Sequence, residues 1–95
     1  GRNSTALYHY AQILGQLGKV EQAIKYYELA LEAKKDRIQI SVIKSYVTLL
    51  IDSQRYPQAQ KILDLYRSKG GITGFLMEKE YKVLDRMLQR KSKRS

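Results

Sequence analysis

The chain contains no cysteine and no tryptophan, and it has a single histidine and a single proline. Without cysteine it cannot form a disulfide, a thiolate metal site or a cysteine nucleophile. One histidine rarely begins a zinc site, which needs three or four converging ligands. Scarce proline leaves few interruptions to regular secondary structure. These absences disfavour disulfide-stabilised, zinc-dependent and thiol-dependent proteins.

Long apolar runs are also missing. No run approaches the roughly 18–20 residues that cross a bilayer, and the N-terminus lacks the charged-then-apolar pattern of a signal peptide. We therefore expect an intracellular protein, cytoplasmic or nuclear, with no membrane span. The opening Gly1-Arg2-Asn3 leads us to expect a segment of a longer protein. Its 95 residues, 43% hydrophobic and 28% charged, are typical of one globular domain.

Acidic residues are few: the chain has nine Asp and Glu and 18 Lys and Arg, which gives a net charge of +9. The excess is largest at the C-terminus, where no acid follows Asp85. Such a basic tail can attract nucleic acid, anionic lipid or an acidic protein. Alternatively, its cations only complement the dipole of a helix end. The basic tail comprises Arg86, Arg90, Lys91, Lys93 and Arg94.

Apolar periodicity and helix punctuation predict five helices. Asn3 or Ser4 caps the first, Gly18 ends it, and Asp36-x-x-Gln39 resembles a capping box that opens the third. No segment alternates with period two, so we predict an all-α chain. The predicted ranges are about 4–17, 20–35, 36–53, 56–70 and 74–90. Pro57 starts the fourth, Gly70-Gly71 ends it, and Thr73 could cap the fifth.

Two of these helices carry narrow polar stripes in register, 36 residues apart. The stripe on the first helix contains Thr5, Tyr8, His9, Gln12 and Gln16. The stripe on the third contains Ser41, Lys44, Ser45, Thr48 and Asp52. Because both stripes follow helical spacing, we predict that together they line one partner-binding groove.

A longer pattern recurs with the same period of 36. It reads Leu14-x3-Gly18-x-Val20-x2-Ala23-x3-Tyr27-x2-Ala30-Leu31 and then Leu50-x3-Gln54-x-Tyr56-x2-Ala59-x3-Leu63-x2-Tyr66-Arg67. A fixed period in this range indicates a repeat array whose units bury their apolar faces against each other. Met77, Tyr81, Leu84 and Leu88 form a ridge on the fifth helix that could cover the fourth, and Leu76, Val83 and Met87 would widen it.

This spacing resembles the tetratricopeptide repeat. The family's small, turn and aromatic positions match Ala11, Gly18, Ala23, Tyr27 and Ala30. In the second unit they fall on Val47, Gln54, Ala59, Leu63 and Tyr66, of which Ala59 matches strictly. The resemblance implies an all-α, right-handed α-solenoid of antiparallel helix hairpins with five helices. A single domain, 1–95, would hold repeat one at 4–37, repeat two at 38–71, a capping helix at 73–91 and the basic tail at 92–95.

The resemblance implies a protein–protein interaction module, an adaptor or scaffold that binds a peptide or helical segment of a partner. The family's clamp for chaperone tails is absent, because its positions hold Tyr8, Gln12 and Ser45. One alternative is RNA binding, since Tyr66-Arg67-Ser68-Lys69-Gly70 resembles an ending of the pentatricopeptide repeats. Another is a structural domain that forms homo-oligomers through the ends of the array.

Nothing in the sequence favours catalysis. No serine lies in a nucleophile elbow, and Glu28 and Glu32 fall on the solvent side of a helix. Gly70-Gly71-x-x-Gly74 lacks the preceding strand and the Gly-Lys-Ser/Thr ending of a phosphate loop. We therefore predict no enzyme activity, no metal ligand and no cofactor.

Overall fold

A computed structural model describes residues 3–34, 39–69 and 77–94. Within these ranges the secondary structure is entirely helical, and no strand occurs. The helices are α1 (Ser4–Gln16), α2 (Val20–Ala33), α3 (Ile40–Asp52), α4 (Tyr56–Lys69) and α5 (Glu78–Arg94). The prediction of a five-helix, all-α chain is confirmed for the part of the chain that the structure describes.

Local signals set the start of α1 and of α4. Asn3 caps α1, because its side-chain oxygen accepts hydrogen bonds from the backbone N–H of Thr5 at 2.9 Å and of Ala6 at 3.4 Å. These bonds satisfy two of the donors that a helix start leaves unpaired. Pro57 is the second residue of α4, where its missing N–H costs little.

The turns after α1 and after α3 have the same geometry, 36 residues apart. Gly18 has a φ of +79° and Gln54 a φ of +62°, so both lie in the left-handed region. The N–H of Lys19 bonds to the carbonyl of Leu14 at 2.9 Å, and that of Arg55 to Leu50 at 2.8 Å. This six-to-one bond defines a Schellman motif, which usually places glycine at the left-handed position. Gln54 therefore occupies a backbone conformation that suits glycine.

This pair of turns gives a matched prediction. Gly18→Ala is expected to destabilise the protein by about 1 kcal/mol, because L-residues are strained at positive φ. Nothing lies within 4 Å of the added Cβ, so no clash contributes. Gln54→Gly is expected to stabilise the protein by about 0.5–1 kcal/mol. Glycine relieves the backbone strain at positive φ, and this gain is larger than the loss caused by the greater conformational entropy of glycine in the unfolded chain. Urea denaturation of both variants measures the two changes, and a loss of stability in Gln54→Gly would contradict the argument.

The chain divides into two compact units, residues 1–46 and 47–95, and the boundary falls within α3. In the first unit α1 packs against α2, and alanines at their crossing have no exposed surface. Small side chains there allow the two helices to approach closely. The buried apolar side chains of this unit are Ala11, Leu14, Ala23, Ile24, Tyr27, Ala30, Leu31, Val42, Ile43 and Tyr46.

In the second unit α5 packs along α4. Arg67 of α4 forms an ion pair with Glu78 of α5, and the Gln89 amide donates to Gln60 Oε1 at 3.2 Å. The guanidinium of Arg67 holds the pKa of the Glu78 carboxyl below its usual value. The buried apolar side chains are Val47, Leu50, Ile51, Ala59, Leu63, Tyr81, Leu84 and Leu88.

Tyr81 is the one described residue whose buried side-chain polar atom lacks a hydrogen-bond partner among the described residues. Its side chain has no exposed surface. Burial raises the pKa of Tyr81, and Glu78 and Tyr66 add to this effect, whereas Arg67 opposes it. The second unit therefore holds this phenol in its neutral form.

Three sequence predictions need correction. Gln39 precedes α3 instead of lying within it, and its amide donates to the Ala30 carbonyl at 3.1 Å, so it is not the third residue of a capping box. Val83 is 55% exposed and does not widen the apolar ridge of α5. Finally, α5, which begins at Glu78, continues to Arg94, beyond the predicted end at about residue 90, so Lys91, Lys93 and Arg94 of the basic tail are helical.

Some predicted features lie outside the described residues. They are Lys35, Asp36, Gly70, Gly71, Thr73, Gly74, Leu76 and the side chain of Arg94.

Candidate partner-binding site

The polar stripe of α1 lies at the border between the core of the first unit and solvent. Ala11 and Leu14, on other sides of the helix, are buried, because apolar and polar positions recur with the helical period. Tyr8 and Gln12 are half-buried, and Thr5, His9 and Gln16 are exposed. Each of the five side chains therefore retains access to solvent.

The first turns of α3 supply the other polar side chains. Ser41 and Lys44 are exposed and Ser45 is half-buried. Ser45 Oγ lies 3.1 Å from Tyr8 Oη, and the Gln12 amide donates to Tyr8 Oη at 3.2 Å and to Ser45 Oγ at 3.4 Å. The structure thus brings three of the predicted site residues into one hydrogen-bonded cluster, which we call the Tyr8 cluster.

A row of aromatic rings lies behind this cluster. The ring centroid of Tyr27 is 6.4 Å from that of Tyr8. The Tyr27 ring also stacks on Tyr46, with 5.4 Å between the centroids and an interplanar angle of 14°. Tyr46 Oη donates to Glu28 Oε2 at 3.0 Å. Burial raises the pKa of Tyr27, with a smaller contribution from Tyr8, and hydrogen bonding to Ser45 opposes the shift. The Tyr8 ring is therefore supported from the core by fixed aromatic neighbours.

In front of the cluster is a cavity of about 260 Å³ between α1 and the start of α3. Its walls contain four predicted site residues, Thr5, Tyr8, His9 and Ser41. The ring centroids of Tyr8 and His9 are 5.3 Å apart. The sequence reasoning missed Ser4, Gln39, Ile40 and Val42, which complete the lining. We call this opening the Tyr8 cavity.

Other predicted groove residues do not line this cavity. Gln16 is exposed near the end of α1, and Lys44 is exposed one turn beyond Ser41. Thr48, half-buried, and Asp52, exposed, belong to the part of α3 within the second unit. A continuous groove through all ten residues stays a prediction.

Among the described residues, no three His, Asp or Glu side chains are grouped to hold a metal ion. No helix in the described ranges combines the length and apolar character needed to cross a membrane.

The family model described as tetratricopeptide repeat matches residues 4–37, which include α1 and α2. No curated protein matches the chain, and no solved structure does. The matched segment contains the buried alanines of the α1–α2 crossing and the left-handed Gly18 turn. This match and the all-helical structure support a repeat of the tetratricopeptide type at residues 4–37.

Proposed function

We propose that the protein is an interaction module that holds a segment of a partner protein in the Tyr8 cavity. Tetratricopeptide repeats generally mediate protein–protein interaction, and all-helical repeat folds of this type are typically non-enzymatic. The observation that carries the proposal is a cavity with both polar and aromatic walls, backed by a hydrogen-bonded cluster. Recognition sites commonly combine these two kinds of surface.

The Tyr8 cluster makes the cavity rigid before a partner arrives. The hydroxyl of Tyr8 is hydrogen-bonded with Ser45 and Gln12, and its ring neighbours those of His9 and Tyr27. An aromatic side chain fixed in this way loses little rotamer freedom on binding, which favours affinity. Tyr8 therefore serves as the anchor of the proposed site, and exposed His9 supplies an adjacent ring.

The size of the cavity indicates what it holds. Its volume of about 260 Å³ is below the ~300–1,000 Å³ of pockets that enclose a small-molecule ligand. It suits one or two side chains of a peptide or helix lying along α1 and α3. Lys44 is the only charged residue among the predicted site residues of the first unit, so hydrogen bonds and apolar contacts carry most of the binding.

We also propose the domain organisation that the repeat pattern predicts. Residues 38–71 form a second repeat, and α5 acts as its capping helix within the predicted range 73–91. Supporting this are the left-handed turn at Gln54, which repeats that at Gly18, and the burial of Tyr81, Leu84 and Leu88.

Site-specific photocrosslinking tests the proposed function. A photoreactive amino acid replaces His9, which is exposed and lines the cavity. In a second protein it replaces Lys25, which is exposed on α2. We expect a partner captured from position 9 and not from position 25. Equal capture from both positions, or capture from position 25 alone, would contradict the site.

The captured partner is then used in a binding assay with matched variants. Tyr8→Ala/Lys44→Glu alters the site, whereas Tyr10→Ala/Lys25→Glu makes the same changes at exposed positions outside it. We expect at least a tenfold loss of affinity, about 1.4 kcal/mol, for the first variant alone. Because Tyr8 contacts the core, its replacement also lowers the stability of the fold. Affinities are therefore compared at a temperature at which both variants are folded. Unchanged affinity in the first variant would contradict the assignment of the Tyr8 cavity as the binding site.

A further inference from the structure

The outer face of α5 carries a row of cations. The side opposite is buried through Tyr81, Leu84 and Leu88. At 3.6 residues per turn, the row falls within an arc of roughly 80° and extends over about 21 Å of helix. All of its side chains are exposed. This row, the α5 basic stripe, consists of Lys79, Lys82, Arg86, Arg90 and Lys93.

No carboxylate interrupts the stripe, because the acids of α5 point elsewhere around the helix. Glu78 pairs with Arg67 of α4. Asp85 lies on the same side as Glu78, and its charge acts on Arg67, as does that of Asp64. Lys82 is one turn from Glu78 and contributes to the low pKa of that carboxyl, whereas Glu80 is half-buried on another side. Glu78 and Asp85 thus lie toward Arg67 of α4, and none of the three acids of α5 falls within the arc of the stripe.

We propose that the α5 basic stripe binds the phosphodiester backbone of a nucleic acid. A line of Lys and Arg spaced by about one helical turn, 5–6 Å, can neutralise successive phosphates. The stripe contains no Asn, Gln or aromatic side chain that could read or stack on a base, and its two arginines lie in the same row as its three lysines, so we assign all five cations to phosphate contacts that are independent of sequence. No residue of the stripe lines the Tyr8 cavity.

Two other anionic partners fit the stripe less well. Protein interfaces are depleted in lysine and rely on aromatic, Arg or Met anchors, whereas the stripe has three lysines and no aromatic residue, and its apolar neighbours are Val83 and half-buried Met87. Membrane-surface helices insert an apolar face between lipids. The apolar face of α5 is already buried, so α5 cannot insert in this fold.

Fluorescence anisotropy with labelled single-stranded RNA and with duplex DNA tests the proposal. If all five cations contact phosphates, the slope of log affinity against log salt should be about −3.5 for the single strand and about −4.5 for the duplex. Arg86→Gln/Arg90→Gln removes two contacts. It should reduce the single-strand slope to about −2.1 and weaken binding about 25-fold at 0.1 M salt.

The control variant is Lys19→Gln/Lys25→Gln, which lowers the net charge equally at exposed positions outside the stripe. It should leave the slope unchanged. Equal weakening by both variants would overturn the proposal, since only net charge would then matter. A wild-type slope near zero would overturn it as well. So would binding to phosphatidylserine vesicles or to polyglutamate with no binding to either nucleic acid.

Discussion

Replacing Tyr46 with alanine is expected to destabilise the protein by about 3–5 kcal/mol, the range for removing a buried aromatic ring. Tyr46 has no exposed surface and stacks on Tyr27. Its removal leaves a cavity beside Tyr27 and deprives Glu28 of a hydrogen-bond donor. Chemical denaturation followed by circular dichroism measures the change in the free energy of unfolding.

Tyr46→Phe separates the ring from the hydroxyl. It keeps the stacking on Tyr27 and removes the hydroxyl, which donates to the exposed Glu28. We expect a loss of about 1 kcal/mol. Equal effects of phenylalanine and alanine at this position would show that the hydroxyl, not the packing of the ring, stabilises the first unit.

Leu63→Ala should give the second-largest effect, a destabilisation of about 2–5 kcal/mol. Leu63 has no exposed surface and lies on the buried side of α4 with Ala59. Truncation removes apolar contacts and leaves a cavity that the surrounding helices fill only in part. The melting temperature and the urea midpoint should both fall.

Leu65→Ala is the matched control for this change, because it makes the same truncation two residues away on the same helix. Leu65 is 40% exposed, so its loss should change the free energy of unfolding by no more than about 0.5 kcal/mol. If the two truncations cost the same, the assignment of Leu63 to the core would be wrong.

Local signals in the sequence predicted most of the fold. Asn3, Gly18 and Pro57 each act through their own backbone or the adjacent turn, so their positions mark α1 and α4 closely. Even the degenerate turn at Gln54 was located correctly, because the period of 36 aligned it with Gly18. Periodicity also separated the buried from the solvent-accessible sides of α1 and α3.

The predictions were wrong where a tertiary contact, or a weak signal at the end of a helix, determines the local structure. Gln39 bonds to Ala30 in the preceding helix, and no local pattern reveals that contact. The predicted C-terminal end of α5 falls short of Arg94 because the cluster of cations there indicated a tail. Lys and Arg are good helix formers that also complement the dipole of a helix end.

The sequence predicted which side chains lie on the surface of the candidate site, but not the contacts between them. Helical spacing identifies which side chains of α1 share one side, and Tyr8 and His9 do line a cavity. The bond from Tyr8 to Ser45 depends on the register between two helices 37 residues apart in sequence. That register is set by packing in the core, so the hydrogen bonds of the Tyr8 cluster could not be predicted from the sequence.

The buried phenols also make the fold sensitive to alkali. Burial raises the pKa of Tyr27 and Tyr81 above the ordinary value of 10.0, so the folded chain keeps these two protons longer than the unfolded chain does. Their contribution to stability is complete below about pH 10 and is lost as the pH rises through the folded-state values, at up to about 1.4 kcal/mol per pH unit for each ring. Thermal melts at increasing pH would follow this loss, and a flat profile above pH 10 would mean that the pKa of each phenol is the same in the folded and the unfolded chain.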